Sequence, residues 1–444
     1  MVICFNLFLF CSIDNLRYNT RKYYLGFKLR DNSNSKKCLS LWKGVLFRNI
    51  RAHTIFKSHR MRLVNIMRSL FFVALLLSIS SCKKSKIPRD ASPDHYFYVG
   101  TYTNTGSKGI YLCKIDTATG YLKNLGVAAK LTSPAYLNIS YSDDYLWASQ
   151  EGLGETDSVV AYKIDTKTFG LSEINRQAVK GQGACYITST NDNNYLGVAC
   201  YGSGSITLLP LKANGSIENR PIVVKHHGKG LNPKRQEAPH CHTIRQDNNG
   251  YFYVTDLGTD KIVIYKLSGD RLVQVDQILF EPGSGPRHIA FDPKGKYMAV
   301  VNELKSNVEL YVKGVRPYFC KKQEFVRTIP ASYEGYNTAA DIHFSPDGRF
   351  LYASNRGHES VVCFAVQRAD DNLKLIEYMR DQVKQPRSFA FDPSGRFLLV
   401  ANQENNTIVA YKIEQDTGIP IFNGSIISIQ SPVCVKFLNQ YGLQ

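Results

Sequence analysis

At 444 residues, 43% hydrophobic and 12% aromatic, the chain can bury a full-sized core, and disorder of the whole is excluded. Its formal charge of +18 would suit a nucleic-acid binder, but fourteen Lys/Arg and only two acidic residues, Asp14 and Asp31, precede Cys82. The rest carries 41 basic against 35 acidic residues, a mild excess that gives no reason to expect a nucleic-acid partner.

Residues 1–60 show no domain pattern and read as a leader or a misassigned start, with Met61 or Met67 the initiator. The run MRSLFFVALLLSISSC from Met67 has Arg68 as a positive n-region, an apolar core from Leu70 to Leu77 and small residues before a cysteine. That pattern predicts a lipoprotein signal peptide over 61–82, because the apolar run is too short to span a bilayer comfortably. Ile79-Ser80-Ser81-Cys82 looks like a lipobox, which predicts lipidation of Cys82. The mature chain would then be anchored at the cell envelope, facing the periplasm or exterior; an unused signal would leave it cytoplasmic. Residues 83–94 read as a linker, and 95–444 as one domain. Seven further cysteines, from Cys113 to Cys434, form no CxxC pair, and most sit in apolar strand patterns as small buried hydrophobes.

From Tyr96 onward the sequence repeats with a period of roughly fifty residues, the mark of a propeller. Tyr96 to Thr119 matches the second and third strands of the unit but lacks a first. Weaker complete copies begin at Ser133, Gly183 and Pro239. The clearest are GPRHIAFDPKGKYMAVVNEL at 285, ADIHFSPDGRFLYASNRG at 340 and QPRSFAFDPSGRFLLVANQE at 385. Each pairs a short apolar strand with a D-P-x-G or P-D-G turn and a second strand rich in aromatic and β-branched residues. SPVCVKF at 431 supplies a first strand with nothing after it, so the two half-units together predict a seventh blade. The expected fold is therefore an all-β, seven-bladed β-propeller closed by pairing of the C-terminal strand with the first blade, which removes exposed sheet edges. Tandem sandwiches would not supply complementary half-units, and β-helix repeats are much shorter.

Propellers bind ligands where loops gather around the axis, so functional residues should recur at the starts of first strands and the ends of second strands. Aligning the units on Ile244, Phe291 and Phe391 makes His240, Arg287 and Arg387 equivalent, with His242 on the same face as His240. The second-strand ends bring Glu303, Arg356 and Gln403 into register, with Asp256 one residue earlier and Glu151 in another blade. An axial salt-bridge network would also use Arg287, Glu303 and Arg356. Asp292, Asp347, Gly295, Gly348 and Gly395 read as turn formers, and His288 and His343 as inter-blade hydrogen-bonding residues. No metal-ligand spacing, haem attachment motif or GxSxG elbow occurs, so neither a metal nor a cofactor is expected.

PHCH at 239, DLGTDKI at 256, GPRH at 285, NEL at 302, FSPDGRFLYASNRGHESV at 344 and PRSFAFDPSGRFLLVANQ at 386 together resemble the propeller-type lactonase family. That family includes bacterial 6-phosphogluconolactonase and the fungal carboxymuconate lactonising enzyme, and the resemblance runs from Tyr96 to the C-terminus. It implies hydrolysis of a sugar δ-lactone by a histidine, two arginines and a glutamate. The matching residues are His240, with His242 as competitor, Arg287, Glu303 and Arg356. Lactone opening needs a base for water and cations for the oxyanion. Glu303 or His240 would be the base, Arg287 and Arg356 the oxyanion holders, and Asp256, Arg387, Gln403 and Arg235 further substrate contacts. A carboxymuconate-type isomerase and a non-catalytic envelope binding module are the rival readings. Export would favour an unphosphorylated sugar lactone over the phosphorylated one.

Overall fold

The computed structural model describes residues 94–438, apart from 153, 155 and 315–317. The expectations for 1–60, for the signal peptide with Cys82 and for residues 83–93 of the linker lie outside the described residues.

Seven four-stranded antiparallel sheets form a ring. We number the blades by their first strands: Pro432–Phe437 (blade 1), Leu137–Ile139 (2), Ala184–Ser189 (3), Cys241–Gln246 (4), Pro286–Phe291 (5), Thr338–Phe344 (6) and Pro386–Phe391 (7). Successive first strands touch one another around the axis, so their starts gather at one end of it. The proposed closure is present: Pro432–Phe437 pairs with Asp94–Thr101, with Val99 opposite Val435 and Tyr98 opposite Lys436. Phe97, Val99 and Val435 of this blade pack with Phe397, Leu399 and Ile408 of blade 7 in one buried cluster, so the seam is a hydrophobic interface as well as a ladder.

Turn chemistry places the hairpins as the sequence implies. Asp292 and Asp392 accept hydrogen bonds from backbone amides two to five residues on, and Gly295, Gly348 and Gly395 all have φ near +70°. Asp292 also takes a bidentate pair of bonds from Arg368 at 2.7 and 2.9 Å, which ties blade 5 to blade 6. Cys113, Cys185, Cys200, Cys241, Cys363 and Cys434 are all unpaired, and five of them are fully buried.

Candidate active site

Two local devices deliver side chains to one end of the axis. The first is a buried asparagine at the end of a second strand. Asn302 Nδ2 donates to Asn307 Oδ1 (2.7 Å), Asn355 Nδ2 to Ser360 Oγ (3.2 Å) and Asn402 Nδ2 to Thr407 Oγ1 (3.2 Å), each fixing the corner into the next strand. Asn355 and Asn402 also donate to Thr328 O and Gln382 O in the segments that precede the first strands of their blades. The following residue then turns toward the axis. Its amide donates back to the segment before the first strand: Glu303 to Gly285 O, Gln403 to Gln385 O, and likewise Tyr102 to Ser431 O, Glu151 to Ser133 O and Tyr201 to Gly183 O. Thus the NEL, SNRG and ANQ motifs are each a structural asparagine followed by a residue of the mouth.

The second device is a β-bulge at the start of the first strand. The register slips between Pro286 and His288, Pro386 and Ser388, Cys241 and Thr243, and Ala184 and Tyr186. Arg287, Arg387, His242 and Cys185 are therefore the unpaired residues at equivalent positions, where a bulge re-aims a side chain. This corrects the alignment drawn from sequence: the equivalent of Arg287 and Arg387 is His242, two residues after His240. A slip of two preserves the strand face, so alternation could not reveal it.

At the centre of the mouth, Glu303 is held by three guanidiniums. Arg235 Nη2 donates to its Oε1 (2.5 Å), while Arg356 Nη2 lies 3.1 Å and Arg287 Nε 2.9 Å from its Oε2. The Arg287 Nε–H is not aimed along its line and makes no hydrogen bond, so that contact is ionic only. Burial opposes ionisation of Glu303, but Arg356, Arg287 and Arg235 override it and hold the carboxyl down at about 2. With both oxygens committed, Glu303 is a fixed negative anchor that spaces the arginines.

Arg287 is 2% exposed, and its Nη1 donates to Ala340 O (2.6 Å) and toward His288 Nε2 (3.2 Å). A guanidinium only donates, so His288 accepts at Nε2 and carries its proton on Nδ1, which donates to Asp341 Oδ1 of blade 6 at 2.8 Å. Burial, with Arg287 beside it, pushes His288 down to about 3 and keeps it neutral. Asp341 also meets His343 Nε2 at 3.1 Å. The inter-blade role expected for His288 is present, and through it His288 also orients Arg287. His343 instead pairs with Asp341 of its own strand and meets blade 7 through an edge-on ring contact with Phe389.

His240 stacks on Tyr201 with ring centroids 4.3 Å apart. Its Nδ1 faces Tyr201 O (2.9 Å) and its Nε2 faces Glu237 Oε1 (3.1 Å), so both ring nitrogens meet groups that only accept. His242 contacts Tyr201 and His288 edge-on, and its Nδ1 lies 3.8 Å from Cys185 Sγ. Burial holds it neutral, well below the ordinary histidine range.

The remaining expected residues divide. Arg387 belongs to the mouth, with Nη2 donating to Tyr102 Oη at 2.8 Å. Gln403 is half-buried at the rim position. Asp256 does not serve as a substrate contact: it is fully buried, and its carboxylate accepts from His226 Nδ1, His240 N and Gly258 N. It caps the short helix Leu257–Thr259 and fixes the backbone of His240, because an aspartate at this corner replaces the asparagine of other blades. Sequence reasoning missed Tyr102 and Tyr201, and it noted Glu151 without giving it a role; all three are signalled by their place directly after a second strand.

Gly258 shows how tightly this corner is built. A Cβ there would lie 1.9 Å from Ala238 O and 2.8 Å from His240 N. Gly258→Ala is expected to cost about 1–3 kcal/mol in a denaturant melt and to raise KM by displacing His240. Unchanged values for both would show that the corner yields freely.

His226, Cys241 and Asp256 bring possible metal-ligand atoms within 4.8 Å of one another. His226, however, uses Nδ1 toward Asp256 and Nε2 toward Tyr265 Oη, and burial drives the Cys241 thiol well up, so the trio fits an internal hydrogen-bond network better than an ion. An axial cavity of about 230 Å³ lies elsewhere, toward the turns at Pro293, Pro346 and Pro393; Glu303, Arg287 and Arg356 do not line it.

The closed seven-bladed ring gathers four arginines and two glutamates at one axial mouth, which defines a β-propeller with a strongly charged axial site. Residues 96–437 match the family described as lactonase, 7-bladed beta-propeller, and the chain belongs to that family. It is 35% identical over 344 residues to a 6-phosphogluconolactonase of Bacillus subtilis, covering 77% of this chain and 98% of that one. A 6-phosphogluconolactonase of Formosa agariphila is 33% identical over 311 residues, covering 66% of this chain and 85% of its own length. The solved structure of a periplasmic gluconolactonase of Pseudomonas aeruginosa superposes with a TM-score of 0.72 at 29% identity, over 78% of this chain and 99% of that one. Family and relatives together support a lactone-hydrolysing enzyme.

Proposed function

We propose that the protein hydrolyses a sugar δ-lactone of the 6-phosphogluconolactone type at the arginine-rich mouth, giving the open hydroxy acid. The observation that carries this reading is the clasp of Arg235, Arg287 and Arg356 on one ionised Glu303. Preorganised guanidiniums need no rearrangement to receive the charge that develops on the carbonyl oxygen as water attacks. Arg287 and Arg356 hold that oxyanion, and His240 or His242 positions the ring. Arg387 and Arg235 face the substrate's own anionic group, for which guanidinium geometry is suited. No cofactor is needed, since sugar δ-lactones open by water attack alone.

An unphosphorylated gluconolactone is the second reading. The export signal ending at Cys82 favours it, as does the periplasmic gluconolactonase to which the chain is similar. In that case the protein sits on the envelope through a lipid on Cys82 and meets lactones released there.

Purified protein assayed by pH-stat against gluconolactone and 6-phosphogluconolactone tests both readings. Hydrolysis of at least one is expected, with Arg356→Ala lowering kcat/KM by about 10²–10³-fold. A protein inert toward both lactones overturns the assignment.

A further inference from the structure

The mouth holds a second carboxylate with a very different environment. Glu151 follows the second strand of blade 2 as Glu303 follows that of blade 5, and the same backbone hydrogen bond turns each toward the axis. The two therefore reach the axis from blades three places apart around a seven-membered ring. Glu303 is gripped by three arginines; Glu151 is half-buried, and its Oε1, shut off from solvent, has no hydrogen-bond partner among the described residues. We propose that Glu151 is the general base, and then the general acid, of the lactone hydrolysis at this mouth, an assignment that rests on the lactonase reading above.

The other candidates are worse placed. Glu303 is bound up in ion pairs, and both ring nitrogens of His240 face acceptors. An unsatisfied carboxylate oxygen in a site lined by cations is an acceptor for the proton of an attacking water. The groups around Glu151 support the same role: burial raises its pKa to about 7, Arg387 opposes the rise and Asp157 adds to it. Tyr102 and Cys185, also in the mouth, feel its charge, while burial keeps both of these groups protonated. Two carboxyls driven to opposite ends of the scale in one site is the pattern that separates a fixed charge from a proton carrier.

In the step itself the water oxygen bonds to the lactone carbonyl carbon as Glu151 takes one water proton. The arginines hold the resulting oxyanion. Collapse breaks the bond between that carbon and the ring oxygen, and the leaving oxygen receives the proton from Glu151, so that lactone and water become one hydroxy acid with the carboxylate restored.

The test compares wild type, Glu151→Gln and Glu151→Asp on whichever lactone the wild type hydrolyses. Wild-type kcat/KM is expected to rise with pH through about 7, since the base works ionised. Glu151→Gln should lower kcat by about 10²–10³-fold and flatten that limb, and Glu151→Asp should restore part of both. The glutamine variant should melt no lower than wild type, because it removes an unsatisfied buried carboxylate rather than a contact. A glutamine variant with wild-type kcat and an unchanged pH limb overturns the proposal while leaving the lactonase reading intact. A wild type inert toward every lactone overturns the lactonase reading first. Loss of kcat with a lowered melting temperature in both variants overturns it too, by making Glu151 structural.

Discussion

Glu303→Gln is expected to destabilise the propeller by about 3–5 kcal/mol, the range for removing one partner from a buried ion cluster. The reason is the company the carboxylate keeps. Arg287 is 2% exposed, and the Arg356 side chain is 12% exposed, so without Glu303 these cations repel one another in a place where water cannot screen them. Arg235→Ala provides the contrast: its side chain is 29% exposed, and its loss should cost only about 1 kcal/mol or less. Denaturant melts of the two variants measure the difference. If Glu303→Gln unfolds at the wild-type midpoint, the cluster carries no net electrostatic weight and its organising role falls. Activity should fall with stability in Glu303→Gln, because the same carboxylate spaces the guanidiniums that the proposed oxyanion meets.

Removing residues 432–444 is expected to abolish folding altogether. The lost strand carries buried Val433, Cys434, Val435 and Phe437, with buried Leu438 just beyond it. At about 1.5–3 kcal/mol for each large apolar side chain, their loss alone approaches the whole stability of a typical domain. The deletion would also uncover the edge of Asp94–Thr101, an open template for aggregation. Val435→Asp should act similarly on a smaller scale, by placing a carboxylate between Val99 and the blade 7 cluster. Ile421→Asp, on an outer strand where the side chain is 53% exposed, should leave the protein soluble and folded. Recovery of monodisperse protein by size-exclusion chromatography, with its far-UV circular dichroism, checks all three. A folded truncation would mean that the ring does not depend on its seam.

Much of the architecture was legible because propeller blades are local. Each D-P-x-G or P-D-G turn and each alternating strand is determined within about twenty residues, and the half-units at Tyr96 and Ser431 could only be completed by each other. The same locality exposed Arg287, Glu303 and Arg356, since residues at repeat-equivalent positions share a place around the axis. It failed at His240 and His242, where the pattern repeats every second residue and a two-residue bulge shift leaves it unchanged. It failed too at Asp256, whose corner position looked like the mouth but whose carboxylate turns back to cap Leu257–Thr259.

The amino-acid sequence by itself determined the blades, their number, their closing seam and the positions from which side chains reach the axis, because strand period and turn chemistry act over short stretches. Which side chains meet there was decided only by the closed ring. It brings Arg235 to Glu303 across 68 positions and Arg387 to Tyr102 across 285, and it leaves Glu151 Oε1 without a hydrogen-bond partner among the described residues. Pairing, burial and charge balance depend on distance in space, and only closure of the ring turns distance along the chain into distance across the mouth.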